Sequence, residues 1–231
     1  MSHSADLPSD VVDVWHGRLD LDEKEMAGMI EFLSSPEQQR IGGLLEERAV
    51  RQYVVSRAMQ RQILASYAGG SPADIRFGVV AMGKPTLAHP NKNGLTFNTT
   101  HSGSLVVIAV TEKRNIGVDM EKLRPIPKAL QLAKRFFSDA EFRMLEATSE
   151  ADRDRAFLEV WTRREGTAKA RGDSVWRGLA SWKNGEMENS PRQSLFTVRP
   201  LDVGQDFVGV VVAEGSDWTL RMRGEWKWYA S

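Results

Sequence analysis

The chain has no cysteine, which excludes disulfides, thiolate catalysis and Cys-based zinc sites. It has no excess of either charge: Lys+Arg is 31 and Asp+Glu is 31, a formal net charge of zero. Bulk electrostatics therefore give no reason to expect a nucleic-acid partner. Long apolar runs are missing as well, and the run from Leu105 to Val110 is far too short to span a bilayer. The start, Met1-Ser2-His3-Ser4-Ala5-Asp6, has neither the basic nor the apolar region of a signal peptide. The expectation is a soluble, cytoplasmic protein without a membrane partner. No G-x-x-x-x-G-K-[ST], G-x-G-x-x-G, G-x-S-x-G or H-E-x-x-H pattern occurs, which argues against a P-loop enzyme, a Rossmann dehydrogenase, an α/β-hydrolase and a zincin.

What is present is an ordinary globular composition, 41% hydrophobic and 27% charged over 231 residues, long enough for one large domain or two small ones. Val11 to Trp15 reads as an opening strand. Ser35-Pro36-Glu37-Gln38 starts a helix, with a Ser N-cap and Pro in the first turn. A helical pattern runs from about Glu46 to Tyr67 and stops at Gly69-Gly70. Strands are expected at Ile75–Val79, at Leu95–Asn98 and at Leu105–Val110, with Thr99 to Ser104 as the loop between the last two. Ser138 and Glu141 form a capping box before a helix to about Ala147, and a longer helix spans about Ala151 to Arg171. The remainder is β-like. Element order suggests two related α+β halves divided near Asn115, residues 1–114 and 115–231.

The segments richest in chemistry are Ile116-Gly117-Val118-Asp119-Met120-Glu121 and Trp161 through Lys169. Asp119 and Glu121, two apart after a β-rich run, point to one face of a strand. Glu165 and Lys169, one turn apart, are neighbours on a helix. Together they offer three hard oxygen donors for a divalent cation and an ammonium for an anion, the equipment of a Mg²⁺-dependent enzyme acting on a phosphate ester. Each piece alone also fits a solvated strand end or a surface ion pair. Gly83-Lys84-Pro85 is a turn carrying a cation. His101, between Thr100 and Ser102, could join backbone amides around a phosphate, with Gly103 allowing close approach. Arg57 and Arg61 share a helix face, either solvated or able to clamp a phosphate. Trp226-Lys227-Trp228-Tyr229 reads as terminal strand packing.

The succession Gly83-Lys84-Pro85, Phe97 to Gly103, Ile116 to Glu121, Phe136-Phe137-Ser138, Trp161 to Lys169 closely resembles the 4′-phosphopantetheinyl transferases, specifically the larger, monomeric, surfactin-synthetase-activating type. The resemblance covers about Pro36 to Gly172. It implies an α+β pseudo-dimer of two similar halves, each a small, mostly antiparallel sheet packed with helices, with the active site between them. It implies transfer of phosphopantetheine from coenzyme A to a serine of an acyl, peptidyl or aryl carrier protein, releasing adenosine 3′,5′-bisphosphate. Asp119, Glu121 and Glu165 would hold Mg²⁺ (or Mn²⁺) against the pyrophosphate, with Lys169 on the same phosphates and Glu165 as base, directly or through a metal-bound water. Lys84, Pro85, Thr100, His101 and Ser102, with Arg57 and Arg61, would hold the phosphoadenosine end. The carrier is expected to be acidic, and Ile126 to Phe137, with Lys128, Lys134 and Arg135, is the basic surface expected to meet it. Arg164 stands where the family usually has Lys, and Gly166-Thr167 replaces a commoner small-aromatic pair. Competing readings are a Mg²⁺-dependent phosphatase using the same carboxylates and a catalytically silent module that binds coenzyme A or a carrier.

Overall fold

Two helices of 22 residues, α3 (Glu47–Ala68) and α6 (Glu150–Arg171), each close a run of three helices that follows a strand. The first run is β1 (Val11–Arg18), α1 (Glu23–Glu31), α2 (Ser35–Ile41), α3; the second is β6 (Ile116–Lys122), α4 (Ala129–Phe136), α5 (Asp139–Ala147), α6. The computed structural model describes residues 7–79, 85–91, 93–173 and 195–228. Among them no helix is long and apolar enough to cross a membrane. Local chemistry sets the helix ends. The Ser149 hydroxyl accepts from the Asp152 amide, Glu150 and Asp152 sit in the first turn, and Gly172 ends α6 at φ 74°. Asp22–Glu25 and Ser138–Glu141 form capping boxes at α1 and α5.

The chain divides into two compact units. In the first, the sheet order is β4 (Leu95–Ser102), β5 (Leu105–Glu112), β1, β9 (Thr219–Glu225), beside a ribbon of β2 (Arg76–Val79) and β3 (Pro85–His89). Val54, Ala58, Met59 and Leu64 of α3 pack with Val106, Ile108 and Val110 of β5 in one core. The division after residue 114 needs one correction. Residues from Trp218 onward belong to the first unit, because β9 pairs in parallel with β1 from Val11↔Thr219. Buried Asp13 locks this closure: Arg221 donates to it through Nε at 2.5 Å and Nη2 at 2.9 Å, and the Tyr67 hydroxyl donates at 2.6 Å. Burial, then the bond to Asp13, raises the Tyr67 pKa above its ordinary value. The tail packs as expected: the Trp226 indole donates to Gln62 Oε1 at 3.0 Å and is 7% exposed.

The second unit is a three-stranded antiparallel sheet, β6, β8 (Phe207–Glu214), β7 (Phe196–Pro200), in that order. Asp119 lies opposite Val210 and Gly117 opposite Val212. Helix α6 crosses β6 and β8, and the approach is closest at Gly117. A Cβ there would stand 2.1 Å from the Gly166 carbonyl oxygen and 2.4 Å from the Ala170 nitrogen. Only glycine lets strand and helix backbones meet this way.

Four described elements escape the sequence reading: α1, α4, β3 and a single 3-10 turn at Pro72–Asp74. The loop expected over Thr99 to Ser104 is mostly strand. Strand β4 continues through Thr100, His101 and Ser102, paired with Val107, Val106 and Leu105, and the turn is confined to Gly103-Ser104 with Gly103 at φ 59°. Threonine suits a pleated surface, and cross-strand pairing overrides the polar composition.

Candidate active site

Asp119, Glu121, Glu165 and Lys169 all lie in the second unit, Asp119 and Glu121 on β6, Glu165 and Lys169 on α6. Strand alternation puts Gly117, Asp119 and Glu121 on the same face, and Gly117 touches α6. Asp119 is 3% exposed. Lys169 Nζ donates to Asp119 Oδ1 at 2.7 Å and to the Val118 carbonyl at 3.2 Å. Glu165 is raised to a pKa of about 7. Burial is the largest cause; the negative charges of Asp119 and Glu121 add to it, while Lys169 and a hydrogen bond from Trp161 oppose it. In the metal-free chain the Glu165 carboxyl therefore feels both strand carboxylates and titrates near neutrality.

This donor set fits a hard cation: oxygen ligands only, with surplus negative charge in a desolvated place. Among the described residues, however, no three acidic or imidazole groups are arranged as a ready metal cluster. Lys169 stands on the buried carboxylate of Asp119, supplying the positive charge there.

In the first unit a cavity of about 360 Å³ lies between α3 and β4. Arg57, Pro85 and His101 line it, with Arg40, Tyr53 and Asn98. The Arg40 and Arg57 guanidiniums lie over the Tyr53 ring at 5.4 and 5.7 Å, and Arg57 lies over Phe77 at 4.4 Å. Gln60 bridges the walls, accepting from Arg57 Nη1 at 2.9 Å and donating to the Thr99 hydroxyl at 3.0 Å. Of the other residues expected at this end, Thr100 is buried in β4, Ser102 is half-buried, and neither lines the cavity. Lys84 lies outside the described residues. Arg40 and Tyr53 escaped the sequence reading; the Tyr53–Arg57 spacing of one helical turn is the signal that could have found Tyr53, while Arg40 comes from a different helix.

Arg57 and Arg61, both on α3, share Glu37, whose Oε1 lies 3.5 Å from Arg57 Nε, but differ in burial. Arg61 is 2% exposed and donates to Glu37 Oε2 through Nε at 2.9 Å and Nη2 at 2.7 Å, and to the carbonyls of Pro72 and Ile75. It ties α2 and the turn after α3 together and does not line the cavity. Arg164 also turns inward. Its guanidinium pairs with Glu141, donates to the Phe136 carbonyl at 2.5 Å and lies 5.0 Å over the Phe137 ring. One planar fork serves three partners, which a lysine ammonium could not match. Lys128, the N-cap of α4, and Lys134 and Arg135 in its last turn are exposed, with Arg135 5.0 Å over Phe136.

Comparison with known proteins bears directly on this arrangement. Residues 115–206 match the sequence model of the 4′-phosphopantetheinyl transferase superfamily, and residues 20–113 match that of the 4′-phosphopantetheinyl transferase N-terminal region. The chain is 32% identical over 219 residues to the 4′-phosphopantetheinyl transferase HetI of Nostoc sp., covering 92% of this chain and 91% of that protein. It is 28% identical over 162 residues to the 4′-phosphopantetheinyl transferase Sfp of Bacillus subtilis, covering 70% of each. With the carboxylates and ammonium on β6 and α6 inside the first matched region, the chain belongs to the 4′-phosphopantetheinyl transferase family and is an enzyme of the transferase class.

Proposed function

We propose that this protein transfers the phosphopantetheine arm of coenzyme A to a serine hydroxyl of an acidic carrier protein, with Asp119, Glu121, Glu165 and Lys169 as the reacting end. The observation that carries this is the coupling of Glu165 to both strand carboxylates while Lys169 reaches Asp119. In the reaction, the carrier serine oxygen bonds to the β-phosphorus, and the bond from that phosphorus to the bridging oxygen breaks. Adenosine 3′,5′-bisphosphate leaves. Glu165, on α6 beside the strand carboxylates, is the group that would take the serine proton. Lys169 neutralises charge developing on the phosphoryl oxygens. Asp119, Glu121 and Glu165 are the residues that would hold Mg²⁺, whose chemistry when bound is to offset negative charge on the pyrophosphate.

The cavity of the first unit supplies the adenosine end. Arg57 and His101 provide cationic and hydrogen-bonding groups, and Arg61, buried away from the cavity, leaves that role to Arg57. The basic face of α4 is the surface for the acidic carrier, and charge reversal at Lys128, Lys134 and Arg135 should raise the KM for carriers. The protein is read as a monomer working in the cytoplasm. The test is mass spectrometry of an apo carrier protein incubated with the protein, coenzyme A and Mg²⁺. A gain of one phosphopantetheine, abolished by a chelator, supports the reading. Free hydrolysis products without carrier modification would indicate a phosphatase, and coenzyme A binding without turnover would indicate a silent module.

A further inference from the structure

Gly166 lies between Glu165 and Lys169, where α6 crosses β8. A Cβ at this position would stand 3.1 Å from a methyl of Val210, 3.1 Å from a methyl of Val212 and 3.9 Å from the Asp119 Cβ. Optimal carbon contacts are about 3.5–4.0 Å, so an added methyl does not fit as the helix lies. Both valines are buried, and β-branched side chains are stiff at χ1. Beside this contact, the Gly117 position already stands against the Gly166 carbonyl and the Ala170 nitrogen. The α6 backbone is thus held down on β6 through one glycine and on β8 through the other. Helix propensity alone favours Ala over Gly at 166. A local rule broken beside the site's own carboxylate marks a tertiary requirement.

We propose that Gly166, with Gly117, is a positioning pair whose missing side chains set the spacing between Glu165 and Lys169 on α6 and Asp119 and Glu121 on β6. This rests on the function proposed above. A methyl at 166 obliges the contact to give by a few tenths of an ångström. Transfer chemistry is sensitive to such shifts, since a misplacement of about 1 Å can cost about a hundredfold in rate.

The test compares wild type, Gly166→Ala, and Gly166→Ala combined with either Val212→Ala or Val210→Ala. It reads kcat, KM for coenzyme A, the MgCl₂ concentration giving half-maximal rate, and the thermal midpoint with and without MgCl₂. Gly166→Ala is expected to keep the metal-free midpoint and the KM, to lower kcat about tenfold and to need more MgCl₂. At least one double variant is expected to regain kcat, because the removed valine methyls make room for the new one. Wild-type kcat and MgCl₂ requirement in Gly166→Ala would overturn the proposal. So would a kcat loss matched by a fallen midpoint and rescued by neither double variant, which would mean packing alone. If wild type itself modifies no carrier, the functional reading fails separately. The midpoint shift on adding MgCl₂ then decides: a smaller shift in Gly166→Ala supports the positioning role, and an equal shift overturns it.

Discussion

Lys169 Nζ lies 2.7 Å from Asp119 Oδ1, with the lysine side chain 24% exposed and the aspartate side chain 5% exposed. One ammonium, a helical turn beyond Glu165, therefore offsets the most buried carboxylate of the site. It also holds the C-terminal end of α6 to β6 through the Val118 carbonyl.

Replacing Lys169 by Ala leaves Asp119 buried without its countercharge. Unpairing a buried ion pair costs about 3–5 kcal/mol, and the partial exposure of the lysine points to the lower end. Urea denaturation in metal-free buffer should show that loss, and MgCl₂ should recover part of it by supplying positive charge. Carrier modification should fall to near background.

Glu165 sets a pH dependence of stability in metal-free buffer. Its pKa is about 7 in the folded chain against 4.5 as the ordinary value, so between those values the folded state binds more protons than the unfolded one. Stability contributed by this group is then present below pH 4.5 and declines as pH rises to 7. Glu165→Gln should flatten that part of the profile, measured as the midpoint of urea unfolding at successive pH values. An unchanged slope would mean that the group titrates elsewhere.

Arg57 and Arg61, one turn apart, should respond differently. Arg61→Ala removes the two-pronged partner of Glu37 and the donor to the Pro72 and Ile75 carbonyls, leaving Glu37 with Arg57 Nε at 3.5 Å and Ser34, and should cost about 1–3 kcal/mol of stability. Arg57→Ala should lower the thermal midpoint less than Arg61→Ala does, since Glu37 keeps Arg61, and raise the KM for coenzyme A severalfold. Steady-state kinetics and thermal unfolding on the same two proteins separate the roles.

Arg164→Lys should damage the fold more than the chemistry. Lysine can meet Glu141 or the Phe136 carbonyl but cannot reproduce the fork, and a lost buried hydrogen bond costs about 1–3 kcal/mol. A lower thermal midpoint with kcat retained below that midpoint is the expected pattern.

Much of this architecture was legible along the chain because its signals are local. Ser138 with Glu141, Ser149 with Gly172, and Pro36 in a first turn specify helix ends through bonds within a few residues. Spacing alone placed Asp119 with Glu121 and Glu165 with Lys169. The sequence could not decide that His101 sits on a strand, because that depends on pairing with Val106 of β5. It could not assign the final strand to the first unit, since Val11↔Thr219 pairing spans nearly the whole chain. Nor could it distinguish Arg57 at a cavity wall from Arg61 in the core: both reach Glu37, and it is the Pro72 and Ile75 carbonyls, brought up by the turn after α3, that hold Arg61 inside. Gly166 reads locally as a helix defect of about 1 kcal/mol; the packing of α6 against Val210 and Val212 gives it a purpose. Periodicity and capping are short-range and written in order, whereas burial, strand partners and close backbone approach arise only when distant segments meet.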